Sequence, residues 1–549
     1  MHRTFRRSWV PFAALLVTLI LPAAAHAEWL ADGTIVCISD PANQMNPRAC
    51  TDGAGGMIVI WQDSRGPSPQ VFAQRMLADG TRAWGASGIL VAPGNPVSVS
   101  PLAAGGSLVF CQAPPGAATE FVRAQQLDAA GNVAPGWPAD GRLIATEAPS
   151  ERWRVVAPVD TTAVDFVADQ FDPVDVSIRR LTWNRVGLDG SPPAGWTGPK
   201  VLATATQGWS DFRLDSFSRA ADGTVWFGRT EILDGGPGPN TYNGYLSAYT
   251  ASGVPLASRM LVTSSAGSTP PITALGGPAN EVFTLSPTLA RWTLDGTAVW
   301  PSTPSIPFSA QLVLPDGSGG LWFADGTHID HVMPDGSIPP AFGTTGLVLP
   351  GPASIAPVSA TLEGNDLWFA RSIGSTPGEV LELDLYVHHI LSDGTLPPKW
   401  LLSGARASGA PGRQQSATLV PTGDGHALVA WNDNRWDPSV TDVYANVVGP
   451  NPLLGVDPPS APSGLRASLR ARLTGRSTLE VSFTAAIPGV VALELVDVTG
   501  RRVAGARVAA EASRATSYQF DVGALASGLY LVHARQGEAA AAVRVFVLR

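Results

Sequence analysis

Two short constellations in this chain could do chemistry. Asp63 and Arg65 follow Trp61 in the pattern Trp-x-Asp-x-Arg, and Asp433 and Arg435 follow Trp431 in the same way. A carboxylate two residues from a guanidinium can grip a polar ligand, or it can pair with its neighbour, because the two groups match in charge and shape. All four residues are ligand-binding candidates. The competing reading is a blade lock, in which Asp caps its loop and Arg pairs with it, since residues that recur with a repeat usually serve the repeat. His328, Asp330, His331, His388 and His389 form a histidine-rich group, with His426 apart. A metal ion wants three converging ligands, but His328 and His331 stand three apart on an expected strand and so face opposite ways. Asp169, Asp172 and Asp175 could offer oxygens to calcium, yet the Asp-x-Asp-x-Asp-Gly spacing is missing and a solvated loop is the expectation. Neither a metal nor another cofactor is expected.

The nucleophile motifs are missing too. The sequence has no Gly-x-Ser-x-Gly, no His-Glu-x-x-His and no phosphate-cradling loop. The Ser-x-Asp-x-Gly-x-x-Trp box fails at each Asp-Gly turn; Asp316, for instance, has Leu314 two residues before it and Ser318 two after. No catalytic residue is assigned.

The elements that must position these side chains are repeats. Turns end in Gly80, Gly131, Gly190, Gly253, Gly296, Gly336 and Gly394, and an isolated copy ends in Gly33. Four or six residues after the glycine come Trp84, Trp137, Trp196, Trp300, Phe342 and Trp400. The spacing, about 52 residues, lies where periodicity signals propellers or arrays. Each unit also carries an apolar run of strand length, such as Met57–Trp61 or Leu367–Ala370, and eight such runs can be counted. With a preceding strand, a third strand and a hairpin through the Asp-Gly turn into Arg82–Trp84, the best unit has four antiparallel strands.

The final third strand, Asp442–Val448, has no turn or fourth strand after it, while Trp29–Cys37 has both and lacks a third strand. Joining them closes a ring and removes exposed sheet edges. The expected fold is all-β: an eight-bladed β-propeller over residues 28–450, with seven blades as the rival count, followed by a small Ig-like β-sandwich. The recurring aromatics are read as blade-to-blade packing, and the glycine-rich stretch Arg229–Asn243 as the longest variable loop.

Residues 1–27 read as a signal peptide: Arg3, Arg6 and Arg7 precede an apolar core from Val10 to Leu21, and Ala25-His26-Ala27 offers the cleavage site. That core is too short to span a bilayer, and no later stretch is long enough, so no transmembrane segment is expected after cleavage. Net charge is −9 and the only lysines are Lys200 and Lys399, which speaks against nucleic-acid binding. Cys37, Cys50 and Cys111 make no disulfide framework. Cys37 and Cys111 fall at core positions, and a Cys37–Cys50 bridge stays open in an oxidising compartment.

Residues 451–465 form a proline-rich linker, and the short strands after it fit a unit over residues 466–549. Asp497-Val-Thr-Gly500-Arg501-Arg502-Val503 and Leu525-Ala-Ser527-Gly528-Leu-Tyr530-Leu-Val532 resemble the type A sorting domain of type IX secretion substrates, and are similar to the Ig-like domain of the flagellar hook-capping protein. One departure is that Ser468–Leu473 stands where an Asn-Pro-x-x-Pro segment is usual, which leaves open a plain Ig-like module. The resemblance implies engagement of outer-membrane secretion machinery through residues 466–549, and a secreted or cell-surface location reached through the periplasm of a two-membrane bacterium. The Trp-x-Asp-x-Arg units resemble repeats of secreted bacterial proteins with such tails, and Leu321-Trp-Phe and Leu367-Trp-Phe resemble the streptogramin-lyase type of propeller.

The expectation is an exported, non-catalytic propeller for binding or display, its extracellular ligand a glycan or a protein. The alternative is a secreted lyase or hydrolase acting on a polysaccharide or small metabolite.

Overall fold

The computed structural model describes residues 29–547 except 31, 39–42, 115–116, 118, 173, 176, 207–209, 235–238, 265–270, 279, 287, 353–358, 375–381, 438, 450–468, 474–476, 486–487, 498–501, 512–513 and 537–538. The signal peptide and the linker expected from the sequence lie outside the described residues.

Apolar runs bounded by glycine turns pair locally into antiparallel sheets. The first sheet takes Gln44–Thr51, Met57–Asp63, Gln70–Met76 and Ile89–Pro93, each strand beside the next in sequence. Six more sheets follow the same order along residues 95–408; all have four strands except the fifth, which has three. The eighth takes Gln414–Pro421, Ala427–Asp437 and Val440–Val448, and its outer strand is Thr34–Ile35 from the other end of the chain. Thr34 stands opposite Ala445 and Ile35 opposite Tyr444, and the Val36 amide donates to the Val443 carbonyl at 2.9 Å.

Each sheet buries a face against the next. Ile58, Ile60 and Trp84 of the first meet Val109 and Cys111 of the second. Trp431 and Val429 of the eighth meet Trp368 and Val387 of the seventh. Trp29, Val36 and Val443 meet Val59 and Trp61, which packs the eighth sheet on the first. Eight apolar clusters thus separate the eight sheets seen among the described residues.

The glycine–aromatic periodicity has a direct physical cause at these seams. Gly131 has φ +85°, and a Cβ there would lie 2.9 Å from the Trp84 ring of the preceding sheet; Gly336 has the same φ and the same approach to Trp300. Only glycine tolerates both the left-handed backbone and the ring against it. The Trp84 indole N–H donates to the Ala129 carbonyl at 3.2 Å and that of Trp300 to the Pro334 carbonyl at 3.1 Å. Trp29 repeats this on the first sheet, donating to the Ala78 carbonyl at 3.1 Å. Each ring is thereby buried while its one polar atom is satisfied.

Two sequence expectations change in detail. The stretch after Gly80 makes only a single bridge, Met76 to Arg82, and the fourth strand starts at Ile89, because Trp84 is turned out of the hairpin into the seam. Most of Arg229–Asn243 is strand, not loop: Val225–Leu233 and Thr241–Tyr249 pair across it. The open disulfide does not form. Cys50 is a free buried thiol in the seam between the first and second sheets, whereas Cys37 lies in the seam between the eighth and first.

Residues 470–547 fold as two sheets around one core. Arg470–Leu473, Thr478–Thr484 and Ala515–Asp521 form one; Arg502–Ala510, Gly489–Asp497, Gly528–Gln536 and Ala539–Val547 form the other. Alternating Leu479, Val481 and Phe483 face Val491, Leu493, Leu495 and Val532. The Tyr530 hydroxyl donates to the Ala526 carbonyl at 3.1 Å, tying down the turn of the Ser-Gly-Leu-Tyr motif. No helix among the described residues is long and apolar enough to cross a membrane.

Candidate ligand face and the motif residues

The two Trp-x-Asp-x-Arg motifs fold into superimposable clasps. Asp63 is fully buried, receives the Trp61 indole N–H at 2.9 Å, the Arg65 backbone N–H at 2.9 Å, and the Arg65 guanidinium at 2.9 and 2.6 Å. Asp433 receives Trp431 and Arg435 at the same distances. Each guanidinium also lies 3.8 Å above a ring of the third strand, Phe72 or Tyr444. Burial alone would lower the pKa of both arginines, but the paired carboxylates outweigh it and raise them.

The remaining N–H groups reach across to neighbouring elements. Arg65 Nη2 lies 3.0 Å from Cys37 Sγ, and Arg435 Nη2 donates to the Asp32 carbonyl at 2.7 Å and towards Ser408 Oγ at 3.4 Å. The structure therefore brings the two motifs into adjacent sheets, each with its carboxylate turned inward and its arginine spanning a seam. Their geometry holds blades; it leaves neither aspartate open to solvent.

The histidines do not converge. His331 Nδ1 lies 2.7 Å from the Ser392 carbonyl of the seventh sheet and Nε2 lies 3.1 Å from Asp316, with Trp322 stacked 4.1 Å away. Burial would raise the Asp316 pKa, but His331, Gly320 N–H and Ser318 hold it down at about 2. His328 pairs instead with Asp325 at 3.1 Å. His388 Nε2 accepts from Arg371 Nε at 3.1 Å, and burial, then the Arg371 charge, pushes His388 well below its usual pKa, so it is the neutral acceptor. Arg371, itself fully buried, also donates to the Gly326 carbonyl at 3.0 Å, and burial lowers it to about 10. His389 stacks on Trp368 at 4.0 Å.

The acidic loop is dispersed as well. Asp169 pairs with Arg154, Asp172 with Arg180 at 3.1 Å, and Asp175 caps Ser177. Among the described residues no three His, Cys, Asp or Glu side chains stand together as a metal site.

A second repeated device escaped the sequence reading. The residue five before a turn glycine is often a base: Arg75, Arg185, Arg291 and His331. Each pairs with an acid of its own sheet, Asp52, Asp165, Glu281 or Asp316. Each also reaches the carbonyl two before the next turn glycine, at Ala129, Ala251, Pro334 and Ser392, with distances of 3.1, 2.5, 2.8 and 2.7 Å. The signal was a fixed offset; its partner, about 50 residues on, was not visible.

Residues 475–548 match the secretion system C-terminal sorting domain. The protein is exported to the cell surface of a two-membrane bacterium. No curated protein matches the chain. Among solved structures it is similar to a puromycin hydrolase at 17% identity, with 82% of this chain and 59% of that one covered and a TM-score of 0.37. The chain therefore spans 59% of the length of that hydrolase. It is also similar to PorZ of Porphyromonas gingivalis, a surface component of the type IX secretion system, at 10% identity, covering 94% and 100% with a TM-score of 0.20. An α-L-arabinanase of Penicillium chrysogenum is similar at 10% identity, covering 76% and 97% with a TM-score of 0.29. At these scores the structural likenesses carry no argument about chemistry; the all-β sheet architecture stands on its own strand pairing.

Proposed function

We propose that residues 28–450 form a closed eight-bladed propeller, displayed at the cell surface to bind an extracellular ligand, a glycan or a protein, without catalysing a reaction. Residues 466–549 then act as the export and anchoring unit, joined by the linker 451–465 and preceded in the precursor by a signal peptide at 1–27. The blade count is supported by eight sheets with eight seams among the described residues of this body, the last of which packs its first sheet and Trp29–Cys37 on its last sheet. The observation that carries the function is the sorting-domain match at one end of a body whose recurrent acids and bases are spent on holding sheets together.

The binding face would be the loop ends of the sheets, where connections from different blades meet. Asp63, Arg65, Asp433 and Arg435 are proposed as the frame of that face, not as contacts to the ligand. Two experiments test the reading. A chain lacking residues 466–549 should fold and accumulate in the periplasm; its normal release to the surface would refute the sorting role. The purified ring, offered an array of glycans and a panel of metabolites, should retain a ligand unchanged. Conversion of any of them to product would replace the binder with the enzyme.

A further inference from the structure

Seven of the eight seams hold a ring from the preceding sheet, Trp29, Trp84, Trp137, Trp196, Trp300, Phe342 or Trp400, and five of these, Trp29, Trp84, Trp196, Trp300 and Phe342, lie against the glycine of the next turn. The seam from the fourth sheet to the fifth breaks the rule. Four and six residues after Gly253, the two offsets at which an aromatic follows every other turn but that of Gly33, where Trp29 precedes the glycine instead, the chain has Ala257 and Arg259. Arg259 takes the ring's place: a Cβ on Gly296 would collide with its guanidinium, which donates to the Gly296 carbonyl at 2.8 Å. Its Cζ lies 5.3 Å from the Trp292 ring centroid, and the side chain is exposed, where the rings it replaces are mostly buried.

This exchange has two consequences. A groove of about 530 Å³ opens between the outer strand of the fourth sheet and the turns of the fifth, lined by Leu256, Asn280, Glu281, Thr293, Leu294 and Asp295. It is shallow and open to solvent. Behind it, sharing Thr293 and Leu294, is a chamber of about 20 Å³ walled by Trp226, Val282 and Trp292, room for one water or one hydroxyl. Trp226 is 3% exposed, and its indole N–H finds no acceptor among the described residues. The equivalent indole of the sixth sheet, Trp322, donates to the Asn365 carbonyl at 3.0 Å. A buried donor without an acceptor is destabilising; the indole N–H groups of Trp183 and Trp400 share that state, and the one on Trp226 belongs to a ring that walls a chamber with room for an acceptor.

We propose that this seam is a binding cleft for one neutral sugar ring of a glycan. The inference rests on the reading of the body as a binding module and names its ligand class. The lining selects the class by exclusion. Glu281 is already neutralised by Arg291, which leaves Asp295 on the groove to disfavour an anion and Arg259 beside the chamber to disfavour a cation. A wholly apolar group would leave the Trp226 N–H without a partner, while the Thr293 hydroxyl is already held by Asp295 and Thr297. A pyranose offers an apolar C–H face to Leu256 and Leu294, hydroxyls that donate to Asp295 and to the Leu294 carbonyl, and a hydroxyl oxygen that accepts from Trp226 or from the guanidinium of Arg259.

The test uses the mature chain on an array of neutral, sulfated and sialylated oligosaccharides, with two variants beside it. Arg259→Trp restores the ring at its usual offset; it should raise thermal stability and lower retention of neutral glycans at least tenfold. Trp226→Phe keeps the bulk and removes only the N–H; it should weaken binding about tenfold while leaving stability unchanged or slightly higher, a split that a structural role would not produce. Competition by the free monosaccharide should displace a ligand held through a single ring, and failure to displace it would overturn the one-ring assignment. Undiminished glycan binding by both variants would overturn the seam site and leave the binding reading standing. Retention of charged glycans alone would overturn the ligand class, and no retention of any glycan by the unaltered chain would overturn this proposal together with the glycan form of that reading.

Discussion

Asp330 offers the sharpest quantitative prediction. It lies on the third strand of the sixth sheet, opposite Phe323, on the face that also carries Val332, Leu321 and the Phe283 ring of the fifth sheet. It is 1% exposed, and burial pushes its pKa up to about 6, against the hydrogen bond from the His331 N–H and the nearby His331 ring. In the first two sheets the same offset, six before the turn glycine, carries Gln74 and Gln125. Their amides donate to fourth-strand-side carbonyls, Gly85 at 2.7 Å and Pro138 at 2.8 Å. A carboxylate can make that donation only when protonated.

The folded pKa is raised above the unfolded value near 3.8, so the native state binds the proton more tightly. The stability it contributes is complete below pH 4 and is lost as pH rises through about 6. A shift of about two pKa units corresponds to about 3 kcal/mol. Asp330→Asn removes the titration and supplies the missing donor. It should therefore match the parent at pH 4 and exceed it at pH 8 by up to about 3 kcal/mol. Urea unfolding followed by tryptophan fluorescence reads this cleanly, because residues 466–549 contain no tryptophan. Other carboxylates titrate alike in both proteins and cancel in the difference. A gap between variant and parent that is the same at pH 4 and pH 8 would refute the reasoning.

Three further outcomes follow from the same contacts. Asp63→Ala leaves the Arg65 guanidinium and the Trp61 N–H without their acceptor and should cost about 3–5 kcal/mol in urea unfolding; a loss of ligand binding at unchanged stability would show instead that Asp63 contacts the ligand. Removal of residues 28–37 strips the outer strand from the eighth sheet and the Trp29 ring from Gly80, and should destabilise the body by at least the 3–5 kcal/mol typical of a buried tryptophan; an unchanged melting temperature would show that the ends do not close the ring. Burial, reinforced at Cys50 by the Asp52 charge, pushes the thiols of Cys50 and Cys111 up to about 12, so both should resist alkylation at pH 8 and react fully in urea. Fast labelling of the folded protein, read by mass spectrometry, would contradict their placement.

Much of the architecture was legible before any coordinates. Glycine turns, a ring four or six residues on and an apolar run per unit are local requirements of hairpin and seam, so they are written into nearly every repeat, the ring being absent after Gly253. The two incomplete ends could be matched because a strand edge without a partner is itself a sequence feature: Asp442–Val448 lacked what Trp29–Cys37 supplied, and Thr34 does stand opposite Ala445.

The site was legible only as a composition of residues. Asp63 with Arg65 could equally have been an open ligand pair or a closed clasp, and the choice lay with burial, which belongs to the neighbours and not to the motif. His331 and Asp316 are 15 residues apart and became partners through strand pairing within one sheet, while the Ser392 carbonyl that completes the contact comes from the next. Arg259 shows the division most plainly. Seven turns and six following rings were countable along the chain, but only the packed seam revealed a buried Trp226 N–H with nothing to accept it and a groove beside it. A period states which residue recurs. What each copy faces is set about 50 residues away, across an interface that exists only once the sheets have stacked.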